Sequence, residues 1–288
     1  MQAAASFTFE VDAESCALAA DRHNATRMSL MSHQSYGPLV GVPRLLEILR
    51  RQDVLATFFV PGLTAETYPD TVRRIVDGGH DIAHHGYAHE PMGTLTEDQE
   101  AAVLDRGLQA LADVADVRPV GYRAPWWELN WHSADLLHER GFLYDSSLLD
   151  GDRPYEMACA RTTGASIVQV PVDWALDDWE QYAFYPGWTG SGVIESPAKV
   201  REMWQLEAEA LHRERGCFVL TNHPFLSGRP GRAMLLEQLI ETVKQLPGMM
   251  VTTLSGIAEH TRSLGLDARH HPRLSAVAVD AAFSHLDI

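Results

Sequence analysis

Residues 54–84 read VLATFFVPGLTAETYPDTVRRIVDGGHDIAH. Two short apolar runs, at 54–60 and 80–84, enclose an amphipathic stretch that closes at Gly78-Gly79. Apolar runs of this length are typical of buried strands, and glycine accepts the left-handed conformation in which helices end. The stretch therefore predicts a strand, a helix and a second strand that lies parallel to the first.

The same alternation continues along the chain. Apolar runs of strand length lie at 6–11, 54–60, 80–84, 119–123, 142–144, 166–172, 217–221 and 249–253. Helix-like stretches separate several of them, one beginning at a Thr96/Gln99 capping box. We predict one α/β domain over 1–288, with a core at about 5–262 and a tail at 263–288. Its parallel sheet is either closed into a (β/α) barrel or left open.

Two stretches, 16–42 and 173–195, break this rhythm. Both are long and rich in aromatic, glycine and polar residues. Loops of that length in a compact domain are usually functional, so we expect substrate-binding loops there.

Composition limits the partners and the compartment. With 23 basic and 39 acidic residues the formal charge is −16, which disfavours nucleic acid and anionic membranes as partners. Three scattered cysteines suit a reducing compartment. The N-terminus turns polar within ten residues, and the apolar stretch at 54–63 is too short to span a bilayer. We expect a cytoplasmic protein with no membrane partner.

Histidines and acids follow the predicted strands. His85 and His89 are spaced so that one helical turn would direct both imidazoles at one cation. Asp12 and Glu14 end the first strand, where a period of two places both carboxylates on one face. One of the two could ligate a metal while the other acts as general base; the sequence leaves open which does which.

Two further strands end in reactive side chains. Arg123, in GYRAPWWELN, can hold a carboxylate charged and oriented, with Trp126 and Trp127 as an apolar wall. His223, in FVLTNHPF, can protonate a departing amine. The carboxyl ends of parallel strands meet at the rim where α/β active sites are built, so we predict that these residues meet there.

Other chemistries lack support in the sequence. It contains no G-x-S-x-G elbow and no nucleotide-binding glycine motif. Two histidines with one carboxylate could hold the iron of an oxygenase, but a free base and a distant acid fit hydrolysis better.

Five stretches resemble, in order, the motifs of the polysaccharide deacetylase (NodB-homology) family, carbohydrate esterase family 4: FEVDAES, HGYAHE, RAPWW, YDSSL and TNHPF. Within it, GVPRLLEIL, ATFFVPG, HGYAHE and APWWE are similar to a branch of peptidoglycan deacetylase homologues, cyclic imide hydrolases and allantoinases. The resemblance implies a distorted (β/α)7 TIM-like barrel and a homo-oligomer, with a tetramer as one form.

The resemblance also implies roles for individual residues. Glu14, His85 and His89 would ligate a divalent metal, for which zinc is expected and cobalt, nickel or manganese are alternatives. Asp12 would be the base and His223 the acid, with Arg123 steadying Asp12 and Asp145 orienting His223. Tyr87, Trp126 and Trp127 would contact substrate.

The predicted function is hydrolysis of a non-peptide C–N bond, namely N-deacetylation of an N-acetyl sugar. Opening of a cyclic imide or ureide such as allantoin is the alternative, favoured by an enclosed pocket capped by residues 173–195. A catalytically silent carbohydrate-binding barrel is the alternative from another class.

Overall fold

The computed structural model describes residues 2–185 and 193–271, and its centre is one nine-stranded sheet. Seven strands form a parallel array in the order β7-β5-β4-β3-β2-β1-β8. Strand β6 pairs antiparallel with β7, and β9 pairs parallel with the start of β1. The strands are β1 (Ala4–Glu10), β2 (Thr57–Val60), β3 (Asp81–His84), β4 (Gly121–Tyr122), β5 (Tyr144–Asp145), β6 (Tyr155–Ala158), β7 (Ser166–Gln169), β8 (Cys217–Asn222) and β9 (Met250–Val251).

Helices connect the strands and cover the sheet. They are α1 (Glu14–Ala20), α2 (Met28–Tyr36), α3 (Val42–Gln52), α4 (Gly62–Thr67), α5 (Pro69–Asp77), α6 (Glu97–Ala115), α7 (Ser133–Glu139), α8 (Asp178–Tyr182), α9 (Pro197–Glu214), α10 (Pro224–Ser227), α11 (Pro230–Lys244) and α12 (Leu254–Ser263). The predicted capping box is present at the start of α6.

The main core lies between the sheet and this helical layer. Phe7 and Phe9 of β1 and Phe58 of β2 are fully buried and share one apolar cluster with side chains of α3, α5, α9 and α11. In α3 the buried residues Leu45, Ile48 and Leu49 recur at helical spacing, which directs them to one face. Burial of this face, rather than helix propensity, stabilises the helix on the sheet.

The predicted α/β class and seven-stranded barrel arrangement are confirmed. Each of the eight apolar runs overlaps a strand, and all eight of those strands pair in parallel. Within the described residues β7 and β8 form no ladder with each other, so the curled sheet is an incomplete barrel.

Two features differ from the prediction, and part of it falls on residues that the structure does not describe. Strand β6 was not predicted, because its sequence YEMA alternates polar and apolar residues and forms an antiparallel edge. The stretch 16–42 was predicted to be irregular but contains α2 and most of α1. Residues 186–192 of the predicted 173–195 loop and 272–288 of the predicted tail lie outside the described residues.

In the part of the chain that the structure describes, no helix is both long and apolar enough to cross a membrane.

Candidate active site

The functional side chains follow the carboxyl ends of four neighbouring strands. Glu10 ends β1 and is followed by Asp12, while His85, Arg123 and His223 come directly after β3, β4 and β8. The order β4-β3-β2-β1-β8 places these strand ends side by side. The structure brings Asp12, His85, Arg123 and His223 together at one rim, and Glu10, which was not predicted, lies among them.

Asp12, His85 and His89 form a buried group that could hold a metal ion. The Nε2 atom of His85 lies 3.6 Å from Asp12 Oδ1, and the Nε2 atom of His89 lies 3.5 Å from Asp12 Oδ2. Both Asp12 oxygens and His85 Nε2 lack a hydrogen-bond partner among the described residues. Buried polar atoms are rarely left without a partner, so a cation between these three side chains would satisfy them.

The second nitrogen of His85 supports the same interpretation. His85 Nδ1 lies 2.8 Å from the carbonyl oxygen of Arg123. Donation of the Nδ1 proton to that carbonyl leaves the Nε2 lone pair directed at Asp12, the arrangement usual for metal-ligating histidines.

The loop that carries the two histidines is not the predicted helical turn. Residues 85–91 form no helix, and both Gly86 and His89 have positive φ angles, of 72° and 58°. Glu90 accepts hydrogen bonds from the amides of Tyr87 and Ala88 and so stabilises the reversal. The loop, rather than helical spacing, places the ring centres of His85 and His89 5.0 Å apart.

Glu14 lies away from this group. Strand β1 ends at Glu10, Ala13 has a φ of 50°, and Glu14 begins α1, so the predicted period of two does not extend to it. Its carboxylate accepts a hydrogen bond of 2.6 Å from the Tyr68 hydroxyl. The structure therefore places Asp12, and not Glu14, beside His85 and His89.

Arg123 was predicted to steady Asp12 as the base. In the structure Arg123 contacts Glu10 instead. Arg123 Nη1 and Trp127 Nε1 donate to Glu10 Oε1 at 2.9 and 3.1 Å. Glu10 Oε2 lies 3.3 Å from His223 Nε2 and 3.5 Å from His85 Nε2. Glu10 lies two residues before Asp12, just as Glu14 lies two residues after it. The alternation used to pair Asp12 with Glu14 would therefore also have indicated Glu10.

The charge of Glu10 is well compensated. Burial alone would raise the pKa of Glu10, but in the metal-free protein a protonated His85, the contact with His223 and the charge of Arg123 hold it well below its usual range. Arg123 is itself fully buried and donates to Ser146 through Nε and Nη2. Glu10 is therefore a charged carboxylate with one oxygen held and the other facing His223.

His223 is oriented by Asp178, whereas Asp145 was predicted. His223 Nδ1 lies 2.8 Å from Asp178 Oδ1 and 3.5 Å from Asp177 Oδ1. Burial would lower the pKa of His223, but Asp177, Asp178 and Glu10 together raise it well above the usual value. Both acids lie in the 173–195 stretch, outside the stretches matched to motifs. The prediction of a substrate-binding loop there was the sequence signal that pointed toward them.

Asp145 instead accepts hydrogen bonds from the amide and hydroxyl groups of Ser147, at 3.0 and 2.6 Å. Burial raises its pKa to about 7. The unfolded chain releases this proton near pH 4, so between about pH 4 and 7 the folded state binds more protons and stability falls as pH rises.

A comparison with Asp145→Asn tests this linkage. The free energy of unfolding of the unsubstituted protein, measured by urea denaturation relative to Asp145→Asn, should fall by about 3 kcal/mol between pH 5 and pH 8. A difference that stays constant over this interval would show that the folded protein does not hold Asp145 protonated.

Tryptophans surround a cavity of about 80 Å³ at this site. Trp126 and Trp127 form part of its wall, and Trp174 and Trp179 from the 173–195 stretch complete it. Glu10, Asp12, His89, Asp177 and His223 also line the cavity. Trp126 and Trp127 have φ angles of 60° and 56°, so the backbone is strained where it places these rings.

Tyr87 does not line this cavity in the described structure. Its hydroxyl donates to Glu66 at 2.9 Å, and its ring lies under the Arg106 guanidinium at 3.5 Å. Its predicted contact with substrate gains no support from this placement.

Comparison with known proteins agrees with the predicted resemblance. Residues 35–144 match the family model described as polysaccharide deacetylase. The peptidoglycan deacetylase of Helicobacter pylori is 32% identical over 243 residues, which cover 76% of this chain and 83% of that protein.

Solved structures share the fold. A Mycobacterium smegmatis protein described as a polysaccharide deacetylase is 53% identical, with a TM-score of 0.92 and 95% of each chain covered. An allantoinase, 23% identical with a TM-score of 0.77 and 90% of each chain covered, has a similar fold. On these grounds, the chain belongs to the polysaccharide deacetylase family.

Proposed function

We propose that this protein is a metal-dependent hydrolase that removes the acetyl group from an N-acetyl sugar. The observation that carries the proposal is the set of buried, unpartnered atoms of Asp12 and His85, with His89 beside them and with Glu10 and His223 adjacent. The similarity to the peptidoglycan deacetylase of Helicobacter pylori supports an N-acetylated glycan as substrate.

Asp12, His85 and His89 would hold the metal. Two imidazoles and one carboxylate are a donor set that suits zinc, with cobalt, nickel and manganese as alternatives. When bound, such an ion supplies Lewis-acid polarisation of the amide carbonyl.

The protein side chains would move the protons. Glu10 is a charged carboxylate at the cavity wall, so it can accept a proton from the attacking water through Oε2. His223 can donate its Nε2 proton to the departing nitrogen, since Asp178 holds Nδ1. Arg123 and Trp127 keep Glu10 Oε1 in place and so direct the other oxygen toward the reaction.

Turnover assays combined with metal analysis test the proposal. The purified protein, stripped of metal and reloaded with zinc, cobalt, nickel or manganese, should bind one equivalent and release acetate from N-acetyl sugars or their oligomers. Sugar binding without turnover under every metal would favour the silent carbohydrate-binding barrel instead.

Ring opening of a cyclic imide or ureide is the second candidate. The observation that favours it is the small cavity, about 80 Å³ with four tryptophans in its wall, which suits a planar ring. Parallel assays with allantoin, a cyclic imide and N-acetyl sugars decide between the two, since each function predicts turnover of one substrate class.

Replacing Asp178 tests how His223 is held. Asp178→Asn should lower kcat by about 10- to 100-fold with little change in KM or metal content, because a general acid contributes roughly 100-fold or more only when it is oriented. Asp145→Asn is the matched control, and its kcat should stay close to that of the unsubstituted protein. An equal loss in both variants would contradict the assignment of Asp178.

We further propose a cytoplasmic homo-oligomer. The three cysteines are free and buried, which supports a reducing compartment. Light scattering of the purified protein measures the assembly, and a monomeric mass would contradict the oligomer.

A further inference from the structure

A second cavity, of about 680 Å³, has a positively charged wall. Arg27, Arg229, Arg232 and His33 line it, and no acidic side chain is among the described residues that line it. In a chain with a formal charge of −16 such a concentration of uncompensated cations is unexpected. We call this the basic cavity.

The three arginines have no carboxylate partner among the residues that the structure describes. None of them forms an ion pair within residues 2–185 and 193–271. Arg27 donates to a side-chain amide, and Arg229 and Arg232 donate to backbone carbonyl groups. The guanidinium group of Arg229 lies 3.6 Å from the centre of the Tyr36 ring, and that of Arg232 lies 4.2 Å from the centre of the Tyr182 ring. These contacts leave several N–H donors for a ligand.

The positive charge of the basic cavity also affects the pKa values of His33 and Arg232. Burial and the charges of Arg229 and Arg232 lower the pKa of His33. Burial also lowers the pKa of Arg232 despite the opposing charge of Asp178. Positive charge in this cavity is therefore only partly neutralised by the protein.

Three helices begin at the same cavity. The first turns of α2, α9 and α11 contribute Ser29, Pro197 and Gly231 to its wall, and none of the three helices has a side-chain N-cap hydrogen bond. First-turn amides have no acceptor within their own helix, and the helix dipole favours negative charge beside them. These helix ends reinforce the arginines in attracting an anion.

Aromatic rings connect the basic cavity to the reaction site. Tyr185 lines the basic cavity and stacks on Trp179 at 5.6 Å, and Trp179, which lines the small cavity, lies 5.2 Å from the His223 ring. A substrate whose amide lies near His223 and whose other end lies in the basic cavity would have to cross these two stacked rings.

We propose that the basic cavity is an anion subsite that binds a carboxylate or phosphate group carried by the substrate. The substrate part of this inference rests on the proposed amide hydrolysis. Arginine forms paired hydrogen bonds to such oxyanions, and Tyr182 and Tyr185 form part of the wall beside the arginines.

Calorimetric titration with sodium phosphate, at constant ionic strength, tests the subsite without turnover. We expect saturable binding that weakens at least tenfold in Arg229→Gln and in Arg232→Gln. The exposed Arg213→Gln is the matched control and should bind as before, and so should His89→Ala, which reports any phosphate held at the metal site. Absence of saturable binding, or binding that only His89→Ala loses, would overturn the proposal.

Folding of the variants is controlled separately. Both arginines also donate to backbone carbonyl groups, so the Gln variants are compared with Arg229→Lys and Arg232→Lys. The Lys variants should retain most phosphate affinity if charge matters. If the Gln variants do not fold, Arg27→Gln provides the test, because it changes an exposed side chain of the same wall. Phosphate binding should weaken in that variant, and unchanged binding would contradict the proposal.

Kinetics distinguish a substrate group from a free anion. An N-acetyl sugar that bears a carboxylate should have at least a fivefold higher kcat/KM than its neutral parent, and phosphate should compete with it. Both effects should disappear in Arg229→Gln and persist in Arg213→Gln. If phosphate binds but neither competes with the acidic substrate nor is accompanied by a preference for it, the substrate subsite is refuted. If the protein binds phosphate but hydrolyses no amide, only the proposed function is refuted.

Discussion

Asp12→Asn should lose both its metal and its activity, whereas Glu14→Gln should retain both. Asp12 supplies the only carboxylate of the described His85 and His89 group, and its two oxygens lie within 3.6 Å of the histidine nitrogens. Removing the charge should weaken metal binding by more than about 100-fold, since even groups that only orient metal ligands contribute 10- to 100-fold. Metal content after dialysis and kcat/KM measure the two effects.

Glu14→Gln is an informative control because both acids were candidates from the sequence. Glu14 is bonded to Tyr68 on the first turn of α1, so the amide should preserve the local contact. Loss of metal in Glu14→Gln with retention in Asp12→Asn would reverse our assignment. Circular dichroism of both variants excludes unfolding as the cause of any loss.

Arg123→Met should destabilise the protein by about 3 to 5 kcal/mol, the usual effect of breaking a buried ion pair from one side. Arg123 is fully buried, and its loss would leave Glu10 charged at 4% exposure with only the Trp127 N–H as a fixed donor to Oε1. Urea denaturation of the metal-free protein measures the change without a contribution from metal binding.

A double-mutant cycle assigns that loss to the pair. Glu10→Gln removes the stranded charge, so Glu10→Gln/Arg123→Met should be destabilised less than the sum of the two single variants, by about 1 to 3 kcal/mol. Arg213→Met, at an exposed position of α9, should change stability by no more than about 0.5 kcal/mol. Strict additivity of the two single effects would contradict the pairing of Arg123 with Glu10.

Local patterns determined the scaffold. The apolar runs predicted eight strands because a strand buried on both faces is apolar along its length. The residues after β3, β4 and β8 were placed at the rim because the carboxyl ends of parallel strands meet there. The positions of His85, Arg123 and His223 could be predicted in this way, because a residue directly after a parallel strand lies at the carboxyl edge of the sheet.

Tertiary structure decided which acids meet these residues. The sequence did not show that β1 ends at Glu10 and turns at Ala13, and this turn brings Glu10 and Asp12 to the site while directing Glu14 away. Asp178 reaches His223 from the connection after β7, across a gap of 45 residues. Strand position is encoded in neighbouring residues, but a turn with positive φ and a contact between distant segments depend on packing of the whole domain, which no local pattern specifies.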